Sequence, residues 1–225
     1  MAKKQESKKE STKAVDSELT STENFFDKNK KIILGLGIGV IAILIGWIGY
    51  QELVKKPKDL RSQEELAPAF YDFEKDSVAR AINGTDNYLG MADIASEYKG
   101  TSGGDIANYS MGIMSMRNGE FEEALGYLED CSFDDEMVGN LCLGLIGDCH
   151  VELGDIDEAA SYFEKAANRR VNEFTTPMFL KKAGLAYEEL GNKEKANQLY
   201  SQIEAEYPSS TEGADISKYI GRTKS

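Results

Sequence analysis

Histidine is almost missing from this 225-residue chain: His150 is the only one, so no His-based catalytic triad has a spare member. Its place is one that a tyrosine or similar packing residue would take. Cysteine is scarce as well. Cys131, Cys142 and Cys149 cannot all pair within one chain, and none stands in a Cys-x-x-Cys or Cys/His metal spacing. Buried free thiols acting as small hydrophobes are the expected state, and a disulfide requires an oxidising compartment. Basic charge is in deficit, with 26 Lys and Arg against 39 Asp and Glu, a net charge of -13. Residues 51–225 alone carry 18 basic and 33 acidic side chains, which repel a phosphate backbone and argue against nucleic-acid binding. The glycine-rich stretch Gly100 to Gly104 lacks the Gly-Lys-Ser/Thr of a phosphate loop and reads as a loop. Glu129-Asp130 and Asp134-Asp135-Glu136 lack the glycine and ligand spacing of a calcium loop. Asn83-Gly-Thr85 has the form of a glycosylation sequon, a frequent accident. No metal, no cofactor and no enzymatic centre are expected.

Charge is absent from Ile32 to Tyr50. These 19 residues, with seven Ile, three Leu and one Val, would span about 28 Å as a helix, close to a bilayer core of ~30 Å. The run is too long for a signal-peptide core, and Gln51 to Lys56 offers no small-x-small cleavage site. An uncleaved transmembrane helix over 32–50 is therefore expected. Residues 1–31 read as a disordered cytoplasmic tail, with Phe25 and Phe26 as an interfacial foot, and Trp47 and Tyr50 fit the far interface. Lysines flank both sides of the span. Those at 3, 4, 8, 9 and 13 favour a cytoplasmic amino terminus and place the acidic remainder outside the cytoplasm. Gly35, Gly39, Ala42, Gly46 and Gly49 share one helical face, a surface for close approach of a partner helix or a second copy.

Beyond a charged linker expected at 51–61, with a helix entered at Ser62 as N-cap, spacing repeats. From Asn140, Leu143 is an early bulky residue, Gly147 and Ala159 are small, Gly154-Asp155 makes a turn, and Phe163 and Ala166 close the pattern. From Pro177 the same places hold Leu180, Gly184, Gly191-Asn192, Ala196, Tyr200 and Ile203. Asp105 starts a weaker copy, with Gly112, Gly119-Glu120, Ala124 and Leu128, in which Asn108 replaces the bulky residue. A degenerate copy begins at Pro68. Helical hairpins of about 34 residues with small residues at the crossing are tetratricopeptide repeats. The expected fold is thus all-α: one transmembrane helix, then a tetratricopeptide-repeat solenoid over 62–225. Its repeats run at about 68–101, 105–138, 140–173 and 177–208, and Thr211 caps a closing helix over 211–222. Thr176 before Pro177 reads as the N-cap of the last full repeat.

Stacked hairpins line a concave groove with the first helix of each repeat. In this register the groove carries Ile106, Tyr109, Ile113, Met116 and Arg117, then Leu141, Gly144, Asp148, Val151 and Glu152, then Met178, Lys181, Leu185, Glu188 and Glu189. The Lys and Asn clamp that holds peptide carboxylates is absent, since Ile113, Asp148 and Leu185 stand at its key position. An apolar floor beside carboxylates suits an extended segment with hydrophobic and basic residues. The competing reading is that Ile106, Met116 and Met178 are packed beneath neighbouring elements.

One uncharged anchor followed by a small repeat domain resembles the YfgM-type proteins, ancillary subunits of the bacterial Sec translocon. The resemblance is carried by the repeat motifs from Gly147 to Ala166 and Gly184 to Tyr207, and by the stretches Phe73 to Ser77, Asn87 to Gly90 and Asn172 to Pro177. It implies a single-pass inner-membrane protein with a periplasmic repeat domain, a non-enzymatic adaptor. Its implied partners are a translocon subunit, a periplasmic chaperone or an exported polypeptide. A self-associating structural protein of the envelope, a homodimer through the glycine face, is the alternative.

Overall fold

The computed structural model describes residues 28–75 and 77–224, so the tail and the Phe25–Phe26 foot lie outside the described residues. The chain divides into two compact units, Met1–Lys56 and Pro57–Ser225.

In the first unit, helix α1 covers residues 28–50. Every large apolar side chain from Ile32 to Tyr50 is exposed, from 37% at Ile33 to 72% at Ile43. Among the described residues no packing covers these side chains, and the helix is long and apolar enough to cross a membrane. Among the described residues a Cβ built on Gly35, Gly39, Gly46 or Gly49 meets nothing within 4 Å, so the small-residue face is open to them. The charged stretch 51–61 departs from the expected linker. It is helical, first as a π-helical turn (Gln51–Lys55) and then as part of α2 (Lys56–Glu74). The wider turn ends with the Lys56 N–H donating to Gln51 O, directly ahead of Pro57, whose ring an α-helical turn would press against the carbonyl four residues back.

The second unit continues through α3 (Val78–Asn83), α4 (Met91–Glu97), α5 (Ser102–Asn118), α6 (Phe121–Glu129), α7 (Val138–Leu153), α8 (Ile156–Arg169), α9 (Thr175–Glu189), α10 (Lys193–Glu206) and α11 (Ile216–Thr223). From α3 to α10 each helix packs on the next, and α11 packs on α10. Three hairpins, α5–α6, α7–α8 and α9–α10, turn in the same way. Gly119, Gly154 and Gly191 take left-handed φ of +79°, +83° and +76°. Each glycine N–H and the N–H after it reach back to carbonyls of the last helical turn, as Gly154 does to Val151 O and Asp155 to His150 O. Where the helices of each hairpin cross, glycine faces a bulky side chain sixteen residues on. A Cβ on Gly112 would lie 2.6 Å from Leu128 Cγ and one on Gly147 2.7 Å from the Phe163 ring, and Gly184 sits closer still to Tyr200. Phe163, Phe179, Leu180, Tyr200, Ile203, Ile216 and Ile220 then form the largest apolar cluster, which ties α8 to α11.

The amino-terminal copy is not the expected hairpin. Pro68 lies inside α2 instead of opening a repeat, and α3 and α4 are short helices of six and seven residues joined by a tight link bridged between Thr85 and Tyr88. Ser62 is no N-cap either: buried within α2, it donates to Asp59 O and accepts from Gly103 N at 3.1 Å. Asp59 Oδ1 accepts from Ser102 N at 2.6 Å, so α2 satisfies the first N–H groups of α5. Close backbone approaches explain Gly103 and Gly104, expected in a loop but found in the first turn of α5. A Cβ on either would strike the backbone of Ser62 or Tyr98.

Two caps differ from expectation as well. Thr176 lies inside α9, and it is the Asn172 carboxamide that accepts from Phe174 N and Thr175 N, at 2.9 and 2.7 Å. Ser210, not Thr211, accepts from Gly213 N, and a 3-10 turn over Gly213–Asp215 leads into the shorter α11. In both places an earlier residue, four positions before Thr176 and one before Thr211, reaches the free N–H groups.

Candidate functional site

The first helices of the hairpins, α5, α7 and α9, carry the residues assigned to a groove. Ile106, Arg117, Val151, Glu152, Leu185 and Glu189 are exposed, Leu185 by 41%, and Ile113 is half-buried. The rest are committed to packing or ion pairs. Tyr109 sets its edge against Phe133, with ring centroids 5.7 Å apart, and Met116 joins the same cluster under Cys142 and Ile146. Leu141 and Met178 pack against the α8–α11 core. Gly144 abuts the Phe179 ring.

Three groove residues are held by charge. Asp148 takes both carboxylate oxygens to Lys182 Nζ at 2.7 Å. Lys181 reaches Asp215 at 3.1 Å and lies over the Tyr219 ring at 4.7 Å. Glu188 accepts from Arg222 Nη2 at 2.8 Å and from the Tyr200 hydroxyl at 2.5 Å. In each ion pair the partners are 34 residues apart, so each joins one repeat helix to the next, about one turn short of the corresponding place. Asp215 immediately precedes α11 and Arg222 lies within it, which makes α11 the counterpart of a further repeat helix laid against α9 and α10. Burial alone would raise the Glu188 carboxyl, but the hydrogen bonds from Arg222 and Tyr200 hold it below its usual range. Burial and the Glu188 carboxylate push the Tyr200 hydroxyl well up. Asp215 is held down by Lys218 and Lys181.

Sequence reasoning missed a second feature, the tie between the loops ahead of α7 and α9. Arg169 donates to Asp135 O at 2.7 Å and to Phe133 O, Arg170 pairs with Asp134 at 2.8 Å, and Asn172 Nδ2 reaches Glu136 O at 3.2 Å. Asn140, wholly buried, donates to Arg170 O at 2.7 Å and Thr175 Oγ1 at 2.9 Å. The recurring separation of 30 to 36 residues between polar partners was the available signal. The same two loops expose Met137, Val171 and Phe174, the last by 74%.

His150 and the thiols fill space. His150 stacks on Tyr162 at 5.4 Å, with Nδ1 3.7 Å from Asp155, too far for a hydrogen bond. All three cysteines are free. Cys131 and Cys142 point to neighbouring carbonyls of α6, Tyr127 O at 3.6 Å and Leu128 O at 3.4 Å. The hydrogen bond between the two thiols, and then burial, drive Cys131 far above the usual thiol range, and burial lifts Cys149 to about 11. Neither is an activated nucleophile.

A helical array with regular hairpin turns, a closing helix and first-helix side chains left open defines an interaction fold of the repeat class. Two tetratricopeptide repeat family profiles match the chain, one over residues 142–170 and the other over 182–210. The first span covers most of α7 and all of α8, and the second runs from the middle of α9 past the end of α10. No curated protein matches the chain. Among the described residues the fold is an all-α tetratricopeptide-repeat solenoid preceded by one helix long and apolar enough to cross a membrane, and repeats of this kind bind proteins.

Proposed function

We propose that this protein is a membrane-tethered, non-enzymatic interaction scaffold. Helix α1 spans the bacterial inner membrane once, the amino terminus is cytoplasmic, and the repeat domain is periplasmic. The scaffold acts as an accessory of the Sec translocon that meets exported polypeptides or periplasmic chaperones. The observation that carries this reading is the pairing of an entirely uncovered apolar helix with first-helix surfaces that leave Ile106, Val151 and Leu185 open beside Arg117, Glu152 and Glu189. Apolar side chains flanked by carboxylates favour an extended segment bearing hydrophobic and basic residues, a common composition of unfolded client chains. The resemblance to YfgM-type proteins supports the translocon as the site of action. The open face of Gly35, Gly39, Ala42, Gly46 and Gly49 is the surface through which α1 packs on a membrane partner.

Site-specific photocrosslinking from position 185 of the full-length protein in native membranes tests this. Adducts with a translocon subunit, a chaperone or a secretory precursor are expected, and Glu152→Lys reduces them. Adducts with a second copy alone would overturn it. Self-association is the second reading, favoured by the same open glycine face. In that case crosslinking within α1 yields a dimer, and Gly39→Leu with Gly46→Leu abolishes it without changing recovery of any larger partner.

A further inference from the structure

Two of the three thiols share one place. Cys131 follows the last turn of α6 and Cys142 lies near the start of α7. Their sulfurs sit on successive carbonyls of α6, Cys131 Sγ 3.6 Å from Tyr127 O and Cys142 Sγ 3.4 Å from Leu128 O. The two thiols are also hydrogen-bonded to each other. Both line a cavity of about 600 Å³, together with Leu128, Phe133, Ile146 and Tyr162. Cys131 is half-buried and Cys142 is 5% exposed, so a reagent meets Cys131 first. Cys149 stands apart. It is wholly buried and does not line the cavity, and seven residues of helix put its Cα about 10 Å from that of Cys142, beyond the ~7 Å a disulfide tolerates. Between Cys131 and Cys142 runs most of the non-helical link 130–137, whose Phe133, Asp135 and Glu136 carbonyls hold Arg169 and Asn172.

We propose that Cys131 and Cys142 are a disulfide-forming pair, whose bond staples the end of α6 to the start of α7 and closes the link that anchors the loop ahead of α9. Its oxidation in the cell rests on the periplasmic placement proposed above, because thiols stay reduced in the cytoplasm and pair in an oxidising compartment. The oxidant is itself a disulfide, carried by a small molecule or by an oxidised dithiol protein. Cys131 attacks it as a thiolate, which forms a mixed disulfide and releases one thiol. Cys142 then loses its proton, attacks the Cys131 sulfur and expels the second thiol. The two cysteines thus give up two electrons and two protons, and the oxidant leaves as two thiols. The Cys142 neighbour and burial both disfavour the Cys131 thiolate, so exchange on the folded chain is slow.

The test uses the full-length chain from two sources. Membranes holding it are quenched in acid, dissolved in denaturant and labelled with a maleimide mass tag, with and without prior reduction. Without reduction only Cys149 takes a tag, with reduction all three cysteines do, and mass spectrometry finds a linked Cys131–Cys142 peptide. In parallel, purified and reduced protein in detergent micelles is incubated with oxidised glutathione at about pH 8.5, near the ordinary thiol range. It forms the same linked peptide without retaining glutathione, and its melting temperature rises by about 5–10 °C. Cys142→Ser traps glutathione on Cys131, and Cys149→Ser oxidises as the unmodified chain does. Three free thiols in membranes, with the linked peptide formed by glutathione, support the pairing and overturn the periplasmic placement. The pairing itself is overturned if neither source yields the linked peptide, if glutathione stays on Cys131 while Cys142 is present, if Cys149 enters the bond, or if oxidation lowers the melting temperature.

Discussion

Alanine at Gly126, Gly147 and Gly184 moves stability in opposite directions, because the same added methyl meets different surroundings. In a helix interior Gly→Ala gains about 0.8–1.0 kcal/mol from backbone entropy. Gly126 has nothing within 4 Å of the new Cβ and keeps that whole gain. At Gly147 the Cβ arrives 2.7 Å from a carbon of the Phe163 ring, which must tilt inside a core where it is 2% exposed. Overpacking of this kind costs about 1–3 kcal/mol, so the net is a loss of up to about 2 kcal/mol. Gly184 fares worse. Its neighbour Tyr200 is fully buried and tethered by its hydroxyl to Glu188 at 2.5 Å, so the ring cannot swing aside without breaking a charge-assisted hydrogen bond. For a domain of this size 1 kcal/mol moves the melting temperature by about 2–4 °C. Circular dichroism at 222 nm on the full-length chain should therefore rank Gly126→Ala above wild type, Gly147→Ala below it and Gly184→Ala lowest. Adding Tyr200→Phe to Gly184→Ala releases the tether, so the pair should cost less than the two single changes together. The reasoning is refuted if all three variants shift the same way, or if the Gly184–Tyr200 pair is additive.

Burial, offset in part by hydrogen bonds from Ser132, leaves the Asp105 carboxyl above its usual range, so its ionised form costs stability as pH rises through the folded value, and below about pH 4 the folded and unfolded carboxyls are both protonated. Asp105→Asn should melt higher than wild type at pH 7, and the gain should vanish near pH 3. Glu188 has the opposite sign: its carboxyl is held down, so it stabilises above the ordinary glutamate range and loses that contribution as pH falls through the folded value. Glu188→Gln should flatten the acid limb of the melting curve, and Arg222→Ala should cost up to ~1 kcal/mol at neutral pH. Asn140→Ala removes bonds to Arg170 O and Thr175 Oγ1 in a wholly buried place and should cost about 2 kcal/mol in urea unfolding with an unchanged slope.

The carboxy-terminal hairpins were legible because their determinants are local. A glycine at a left-handed turn, a glycine under a ring and an alanine at the crossing each act within some twenty residues, and Gly147, Gly154, Ala159 and Phe163 all stand where spacing put them. The same rule misread the amino-terminal copy. Pro68 stands where a degenerate copy is expected to begin, but the helix it lies in starts at Lys56, and Ser62 is consumed by Gly103, forty-one residues away. The groove was legible as a face but not as a surface. Periodicity places Tyr109 and Lys181 on the right side of their helices, and it says nothing of Phe133 or Tyr219 arriving from loop and end helix to cover them.

Such coverage follows a pattern with a physical cause. A stacked array leaves exposed apolar faces and unpaired backbone groups where stacking stops. At the start of α5, Asp59 and Ser62 supply acceptors to Ser102 N and Gly103 N, and Leu66 and Ala69 of the same helix bury apolar surface beneath them. At the far end, α11 lays Ile216 and Ile220 on the core and clips Lys181 and Glu188 with Asp215 and Arg222. Each of these two helices packs on the array from outside a glycine-turned hairpin. The open first-helix residues that remain, Ile106, Arg117, Val151, Glu152 and Leu185, are those that neither closing helix covers.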